Sequence, residues 1–432
     1  PVILRPLTRV CHSDGLVEVG ERQEVGLRGD LAKQPEKYVM VPAYARKRRV
    51  EMAERIARLV ALAEEDGGLN REEMGDRSLG IIASGVAYQY AKEAFPEASF
   101  LKLGMVWPLP PERIRRFAAQ VDRLFVVEEL DPFLTEQVLA MGVAVEPVDE
   151  SSRIGELTPV REMVTGEKQP PAQAEAGLPP RPPTLCAGCP HRSVFLALRR
   201  LKAFVTGDIG CYTLGTLAPL EALHTCLCMG AGINEAHGIQ KVRGHEAPVV
   251  AVIGDSTFTH SGITGLVNVA YNAGVSTVLI LDNRTTAMTG GQVHPGTGVT
   301  LSGLPGRELD FEKLADAVGI EDVRVVDPYD MAATEQAIRE AMANPRPSVV
   351  IARRECVLHV REHPPAPQLA EDKCIRCGRC IRIGCPAIFD GSGEGERPMP
   401  RIDAVLCNGC MMCAQVCPVD ALIVPDAGEG DA

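Results

Sequence analysis

Fifteen cysteines stand among 432 residues, and eight of them fall in two runs near the C-terminal end. "CIRCGRCIRIGCP" holds Cys374, Cys377, Cys380 and Cys385, and "CNGCMMCAQVCP" holds Cys407, Cys410, Cys413 and Cys417. Each run is C-x2-C-x2-C followed by a further Cys-Pro. Three thiolates so spaced can face one iron–sulfur cube, and in paired cubes the fourth Cys of each run ligates the other. The spacing therefore assigns Cys374, Cys377, Cys380 and Cys417 to one 4Fe–4S cluster, and Cys407, Cys410, Cys413 and Cys385 to a second. Structural zinc, the competing use of such cysteines, takes one or two C-x2-C pairs rather than triple runs. The first run departs from the pattern: four residues, not the usual three, precede its last Cys, so a bulged loop is expected there. Lys373, Arg376, Arg379 and Arg382 surround that run. They either tune a potential, meet an acidic electron carrier, or form a solvated basic loop.

A second stretch, "AVIGDSTFTH" at 251–260, places Asp255 directly after an apolar run. A serine nucleophile on an elbow wants Gly-x-Ser-x-Gly, and a phosphate-cradling P-loop wants Gly-Lys-Ser/Thr; neither is present. Next in the chain come a glycine-bearing helical stretch, "SGITGLVNVAYNAG", and then an apolar strand that ends in Asp282-Asn283. Strand, Gly-Asp turn, helix, strand and Asn put both polar ends at the C-terminal edge of a parallel sheet, where ligands bind in such folds. There Asp255 offers a carboxylate, Asn283 an amide oxygen and Thr285 a backbone carbonyl, a donor set that suits Mg2+ with a substrate diphosphate filling the remaining positions. The helix N-terminus after Gly254, Asp255 and Ser256 adds N–H donors for that diphosphate. The alternative is plain: Asp255 caps a helix and Asn283 sits in a turn. Gly-Asp followed 28 residues later by Asn resembles the thiamine diphosphate motif. Thiamine diphosphate stabilises a carbanion beside a former carbonyl carbon, and iron–sulfur clusters take single electrons. One chain holding both points to oxidative decarboxylation of a 2-oxo acid.

The elements that must position these groups read as α/β. "EMAERIARLVALAEE" is an amphipathic helix with Met52, Ile56, Leu59, Val60 and Ala63 on one face. Strands "SLGIIASG", "ASFLKLG" and "RLFVVEE" alternate with helices up to residue 166, which implies a parallel sheet with helices on its faces. The proline-rich stretch 167–183 reads as a linker. A second α/β domain is expected over 184–365, with "APVVAVIGD", "VSTVLILDN" and "RPSVVIARR" as its clearest strands, and a small α+β two-cluster ferredoxin domain over 366–432. Residues 1–30 read as a strand and its loop; beginning at Pro1 rather than Met, they suggest the end of a longer N-terminal domain. The net charge of −12 argues against a nucleic-acid binder. Apolar runs too short for a membrane span, and no export signal, suggest a cytoplasmic protein.

With "TLCAGCPHR", "GDIGCYTLG", "HTCLCMGAGI", "GDSTFTHSGITGL", "LDNRTTAMTGGQ" and the cysteine-rich tail together, the chain resembles the large (alpha) subunits of the 2-oxoacid:ferredoxin oxidoreductases, on their indolepyruvate branch. The resemblance covers essentially the whole chain. It implies two doubly wound parallel-sheet domains, a transketolase C-terminal-like one at 31–166 and a thiamine-diphosphate-binding one at 184–365, with residues 1–30 ending a pyrimidine-binding domain. It implies a third cluster near thiamine, held by Cys186, Cys189, Cys211 and Cys356, although Pro190 stands where relatives carry Gly. Cys226 and Cys228 read as packing rather than ligands. By the same resemblance Gly207, Asp208 and Ile209 lie near the thiazolium, and His191, Arg9 and His294 are candidate catalytic groups, with His12 beside Arg9; a surface-loop reading of Arg9 and of His294 stands against this. The implied reaction is CoA-dependent conversion of aryl pyruvates to aryl-acetyl-CoA and CO2 with reduction of ferredoxin. The implied partner is a smaller beta subunit in a heterotetramer of two alpha and two beta chains. Another 2-oxo acid, or an electron-transfer subunit without catalysis, are the alternatives.

Overall fold

The computed structural model describes residues 11, 13–24, 26, 33–65, 68–148, 153–154, 157, 160–166, 182–244, 249–393 and 395–424. Arg9 and His12 lie outside these, as does most of the expected linker. Of the expected strand and loop at 1–30, the described stretch 13–24 carries no strand. The chain divides into two compact units, 1–178 and 179–432. Among the described residues no helix is long and apolar enough to cross a membrane.

The first unit holds β1 (Asn70–Glu73), β2 (Asp76–Ser84), β3 (Ala98–Leu103) and β4 (Leu124–Val127) in the order β1-β3-β2-β4. The pairings of β2 with β3 and with β4 are parallel as expected, but β1 runs antiparallel to β3. Its sequence, "NREE", has no apolar alternation to betray a strand; it is an edge, and edges tolerate charge. The amphipathic helix begins earlier than its pattern suggested, at Pro42, and ends at Glu65. Only Ala63 of its apolar face is buried.

The second unit is built on five parallel strands, β5 (Phe204–Thr206), β6 (Val249–Gly254), β7 (Thr277–Asp282), β8 (Asp322–Val326) and β9 (Ser348–Arg353), in the order β5-β6-β7-β9-β8. Every residue of β6 and β7 is buried, the reason both read as continuous apolar runs rather than as alternation. Successive side chains point to opposite faces. Val250, Val252, Leu279, Leu281 and Val350 pack on one face with the helices His191–Arg200 and Met331–Ala343. Val249, Ala251, Ile253, Val278 and Ile280 pack on the other with Ile233, Leu266 and Phe311. Apolar area buried on both faces, worth ~25 cal/mol per Å2, is what makes the sheet rigid enough to hold a site at its edge. The cysteine-rich tail folds into the same unit. It forms two small antiparallel pairs, β10 (Gln368–Leu369) with β13 (Leu422–Ile423) and β11 (Ile388–Asp390) with β12 (Pro400–Ile402). Ile383, Ile388, Met412 and Leu422 of the tail share a core with Met331.

Candidate active site

β6 and β7 run side by side with Gly254 opposite Leu281, so the residues just beyond them, Asp255 and Asn283, emerge together at the C-terminal edge. Both are buried. The chain turns at once into a helix that opens with Asp255–Thr257, passes through a π-helical turn at Phe258–Gly262, and continues to Tyr271. Such π turns frequently mark functional sites. Gly254 has no alternative here: a Cβ would stand 2.7 Å from Cε1 of Tyr212.

The Asp255 carboxylate is divided between tasks. Oδ2 accepts from the backbone N–H of Arg284 (2.7 Å) and Oδ1 from that of Ser256 (2.7 Å). One end of the Asn283 side-chain amide lies 3.2 Å from Asp255 Oδ1 and 2.8 Å from the carbonyl oxygen of Thr285; with its nitrogen at that end the amide donates to both oxygens. A half-turn of the amide puts its oxygen there instead, beside the carboxylate and the carbonyl, as a bound cation would require. One carboxylate, one amide and one backbone carbonyl are hard oxygen donors of the kind magnesium takes, with phosphate oxygens completing the shell. The residues therefore fit a Mg2+-bound diphosphate.

A cavity of about 100 Å3 opens beside them, lined by Ile209, Gly210, Tyr212, Ser256, Thr286 and Met288 among others. Whole-ligand clefts run to ~300–1,000 Å3, so this one has room for a diphosphate head rather than an entire cofactor. Ser256 Oγ and Thr286 Oγ1 are 2.7 Å apart at its wall. Tyr212 Oη and Thr257 Oγ1 both donate to the Ile209 carbonyl at 3.0 Å. Gly207 and Asp208, the residues expected near the thiazolium, follow β5 directly. Asp208 is turned from the cavity to accept N–H groups of Ile209 (2.8 Å), Gly230 (2.9 Å) and Gly232 (3.3 Å), and burial lifts its carboxyl above the usual range against those bonds. It pins the loop before Cys211 to the start of the helix Ala231–Arg243.

His294, read from sequence as a loop histidine with a possible acid–base part, is buried. Its Nδ1 accepts from Gly296 N–H (3.2 Å), which leaves the proton on Nε2. Nε2 lies 3.1 Å from Asp255 Oδ2, in contact though off the hydrogen-bond line. It braces a candidate metal ligand. His191 is buried at the start of its helix; its Nε2 is 3.5 Å from Asn283 Nδ2, and burial pushes its pKa down to about 4, so it is a neutral imidazole at pH 7.

The cysteines gather as spacing and resemblance had them. Cys374, Cys377, Cys380 and Cys417 line one small cavity, and Cys385, Cys407, Cys410 and Cys413 another. Near the sheet edge Cys186, Cys189, Cys211 and Cys356 lie close enough for their charges to be felt by one another. Burial pushes the Cys189 thiol up to about 12 and raises Cys211 and Cys356 as well. In the loop that leads to Pro190, Cys189 N–H donates to the Cys186 carbonyl at 3.1 Å. Cys356 lies just past β9, and its N–H donates to the Asn283 carbonyl (3.0 Å), so the cysteine quartet adjoins the diphosphate site directly. Among the described residues no three His, Cys, Asp or Glu side chains crowd around a single-ion position; a cube with iron at its corners spreads its four thiolates more widely than one ion does. Cys226 packs against the core and Cys228 is exposed. Tyr212, Thr286 and Arg192 did not stand out from the sequence. Arg192 had a signal: a charged residue just ahead of the apolar run 194–198 of its helix.

Residues 208–352 match the thiamine pyrophosphate enzyme C-terminal TPP-binding domain, and residues 400–423 match the 4Fe-4S binding domain. The indolepyruvate oxidoreductase subunit IorA of Pyrococcus abyssi is 37% identical over 483 aligned residues, covering 99% of this chain and 74% of that protein. Its counterpart from Archaeoglobus fulgidus is 37% identical over 462, covering 98% and 72%. The 2-oxoglutarate synthase subunit KorB of Archaeoglobus fulgidus is 31% identical over 198 residues, 42% of this chain and 73% of its own length. With thiamine and iron–sulfur domains both matched and likeness running along nearly its whole length, the chain belongs to the indolepyruvate oxidoreductase subunit IorA family and is an oxidoreductase of thiamine diphosphate and iron–sulfur clusters.

Proposed function

We propose that the chain catalyses oxidative decarboxylation of aryl pyruvates such as indolepyruvate and phenylpyruvate. The carboxylate leaves as CO2, the acyl group passes to the CoA thiol as aryl-acetyl-CoA, and two electrons and a proton are released, the electrons to ferredoxin. The observation that carries this reading is the Asn283 junction: its side-chain amide meets the Asp255 carboxylate and the Thr285 carbonyl, and its own carbonyl receives the N–H of Cys356 at 3.0 Å. When bound, thiamine diphosphate supplies carbanion stabilisation, and the clusters supply one-electron acceptors. Asp255, Asn283 and the Thr285 carbonyl would hold Mg2+ at the diphosphate, His294 lies against Asp255, and the Ser256 and Thr286 hydroxyls would be available to the phosphate oxygens. Leu281, Met229 and Met288 line the same cavity and give it apolar walls. Cys186, Cys189, Cys211 and Cys356 hold a cluster within reach of that site, and the tail holds two more.

A smaller beta subunit, two copies of each chain, and ferredoxin as acceptor complete the proposal, as the word subunit in the relatives' names supports. The cytoplasm is its place, since so many cysteines destined for metal need a reducing compartment. The partial likeness to a 2-oxoglutarate synthase subunit favours a second reading, the same reaction on a different 2-oxo acid. Ferredoxin reduction assayed with CoA and indolepyruvate, phenylpyruvate, pyruvate or 2-oxoglutarate decides between them. The aryl substrates are expected to lead by kcat/KM; equal or better turnover of either of the others overturns the aryl assignment.

A further inference from the structure

Arg192 is 1% exposed, and among the described residues no carboxylate pairs with it. Its guanidinium instead donates to four carbonyls. Two, Leu185 O (2.7 Å) and Cys186 O (3.3 Å), belong to the loop of the cysteine quartet beside the thiamine site. The other two, Ile383 O (3.1 Å) and Gly384 O (2.7 Å), belong to the tail, between Cys380 and Cys385. The cysteines that face it electrostatically are Cys186 and Cys189 from the quartet and Cys385 and Cys410 from the nearer tail set. An isolated buried charge costs several kcal/mol after relaxation, and carbonyl dipoles offset only part of that. With clusters bound on both sides, the counter-charge would be that of their cysteine thiolates.

The irregular spacing of the first tail run has its use here. The residue beyond the usual three lets Ile381–Ile383 close a 3-10 turn that ends at Gly384, with φ +71°, and this turn presents the two carbonyls that Arg192 takes. The quartet loop and the tail are linked at two further points, the first through Tyr329, whose carbonyl accepts from Gln415 Nε2 of the tail (2.7 Å). Tyr329 Oη donates to Gly188 O (2.6 Å), and a Cβ on Gly188 would stand 2.9 Å from Cβ of Asn408, between Cys407 and Cys410.

We propose that Arg192 is the shared counter-charge of two neighbouring iron–sulfur centres, the quartet Cys186/Cys189/Cys211/Cys356 and the tail set Cys385/Cys407/Cys410/Cys413, and as a positioning residue raises the reduction potential of both. The proposal rests on the reading of the quartet as a cluster. A fixed positive charge between two centres favours the more negative, reduced form of each. A planar fork reaching four carbonyls is a task for arginine and not for the point charge of lysine.

The test is an EPR-monitored redox titration of the purified enzyme complex, wild type against Arg192→Gln, with iron counted first. About twelve irons per chain are expected in both. In Arg192→Gln the reduced-to-oxidised ratio of the two flanking centres at fixed potential is expected to fall about tenfold, a shift of about 59 mV for one electron, while the Cys374/Cys377/Cys380/Cys417 centre moves less. Unmoved potentials, or an equal shift of all three, overturn the role of Arg192. About eight irons in the wild type overturn the quartet reading instead, a distinct failure. Should Arg192→Gln lose iron, Arg192→Lys decides: an ammonium cannot span both loops, so the potential on the side it leaves should fall while the other holds, and two unchanged potentials sink the proposal.

Discussion

Asp255 and His294 form a pair in which one residue is placed by the other. The carboxylate is aimed by the N–H groups of Ser256 and Arg284 and by the imidazole of His294. Asp255→Ala is expected to lose thiamine diphosphate on purification; full cofactor content, measured by conversion to a fluorescent oxidation product, would defeat the Mg2+ assignment. His294→Ala should be milder, weakening Mg2+ affinity by about 10–100-fold, as loss of an outer-sphere partner typically does. Calorimetric Mg2+ titration distinguishes the parts. Unchanged affinity with lost turnover would make His294 a reacting group and not a brace. At this scale the donor types were legible from Asp255, Asn283 and Thr285 alone. The direction in which His294 points was not, because it depends on Gly296, whose N–H claims the other ring nitrogen.

Strand β6, with the turn it feeds, sets how far the diphosphate can enter. Gly254 is the last residue of β6, and the Tyr212 ring lies against it. Gly254→Ala forces that ring away from its bond to the Ile209 carbonyl, the cavity wall. Overpacking of this kind costs ~1–3 kcal/mol, so a lower melting temperature and a weaker hold on thiamine diphosphate are expected together. A variant that melts as the wild type with full cofactor would show the contact to be slack. The apolar strands β6, β7 and β9 were readable because burial on both faces demands uninterrupted Val, Ile and Leu. β1, β5 and β8 escaped: β1 is a charged edge, β5 has three residues, and β8 is only partly buried.

At the scale of the molecule the question is how many clusters one chain holds. Cys356→Ser should lower iron from about twelve to about eight per chain, leaving both tail centres intact; iron and EPR spin counts measure this. No loss of iron would remove Cys356 from the ligand set. The amino-acid sequence by itself determined what depends on neighbours along the chain. The two C-x2-C-x2-C runs, the Gly-Asp turn and the apolar strands rest on short spacings that local geometry cannot satisfy in many ways. The tertiary structure decided what depends on distant residues meeting: Cys356 with Cys186, Asp208 with Gly230, Cys385 and Cys417 each with the other run, and Arg192 lodged between two sets of cysteines. These come from the strand order β5-β6-β7-β9-β8 and from packing of the tail against Met331. No periodicity records which loops such packing will bring into contact, so a buried guanidinium without a carboxylate became visible only once both loops were in place.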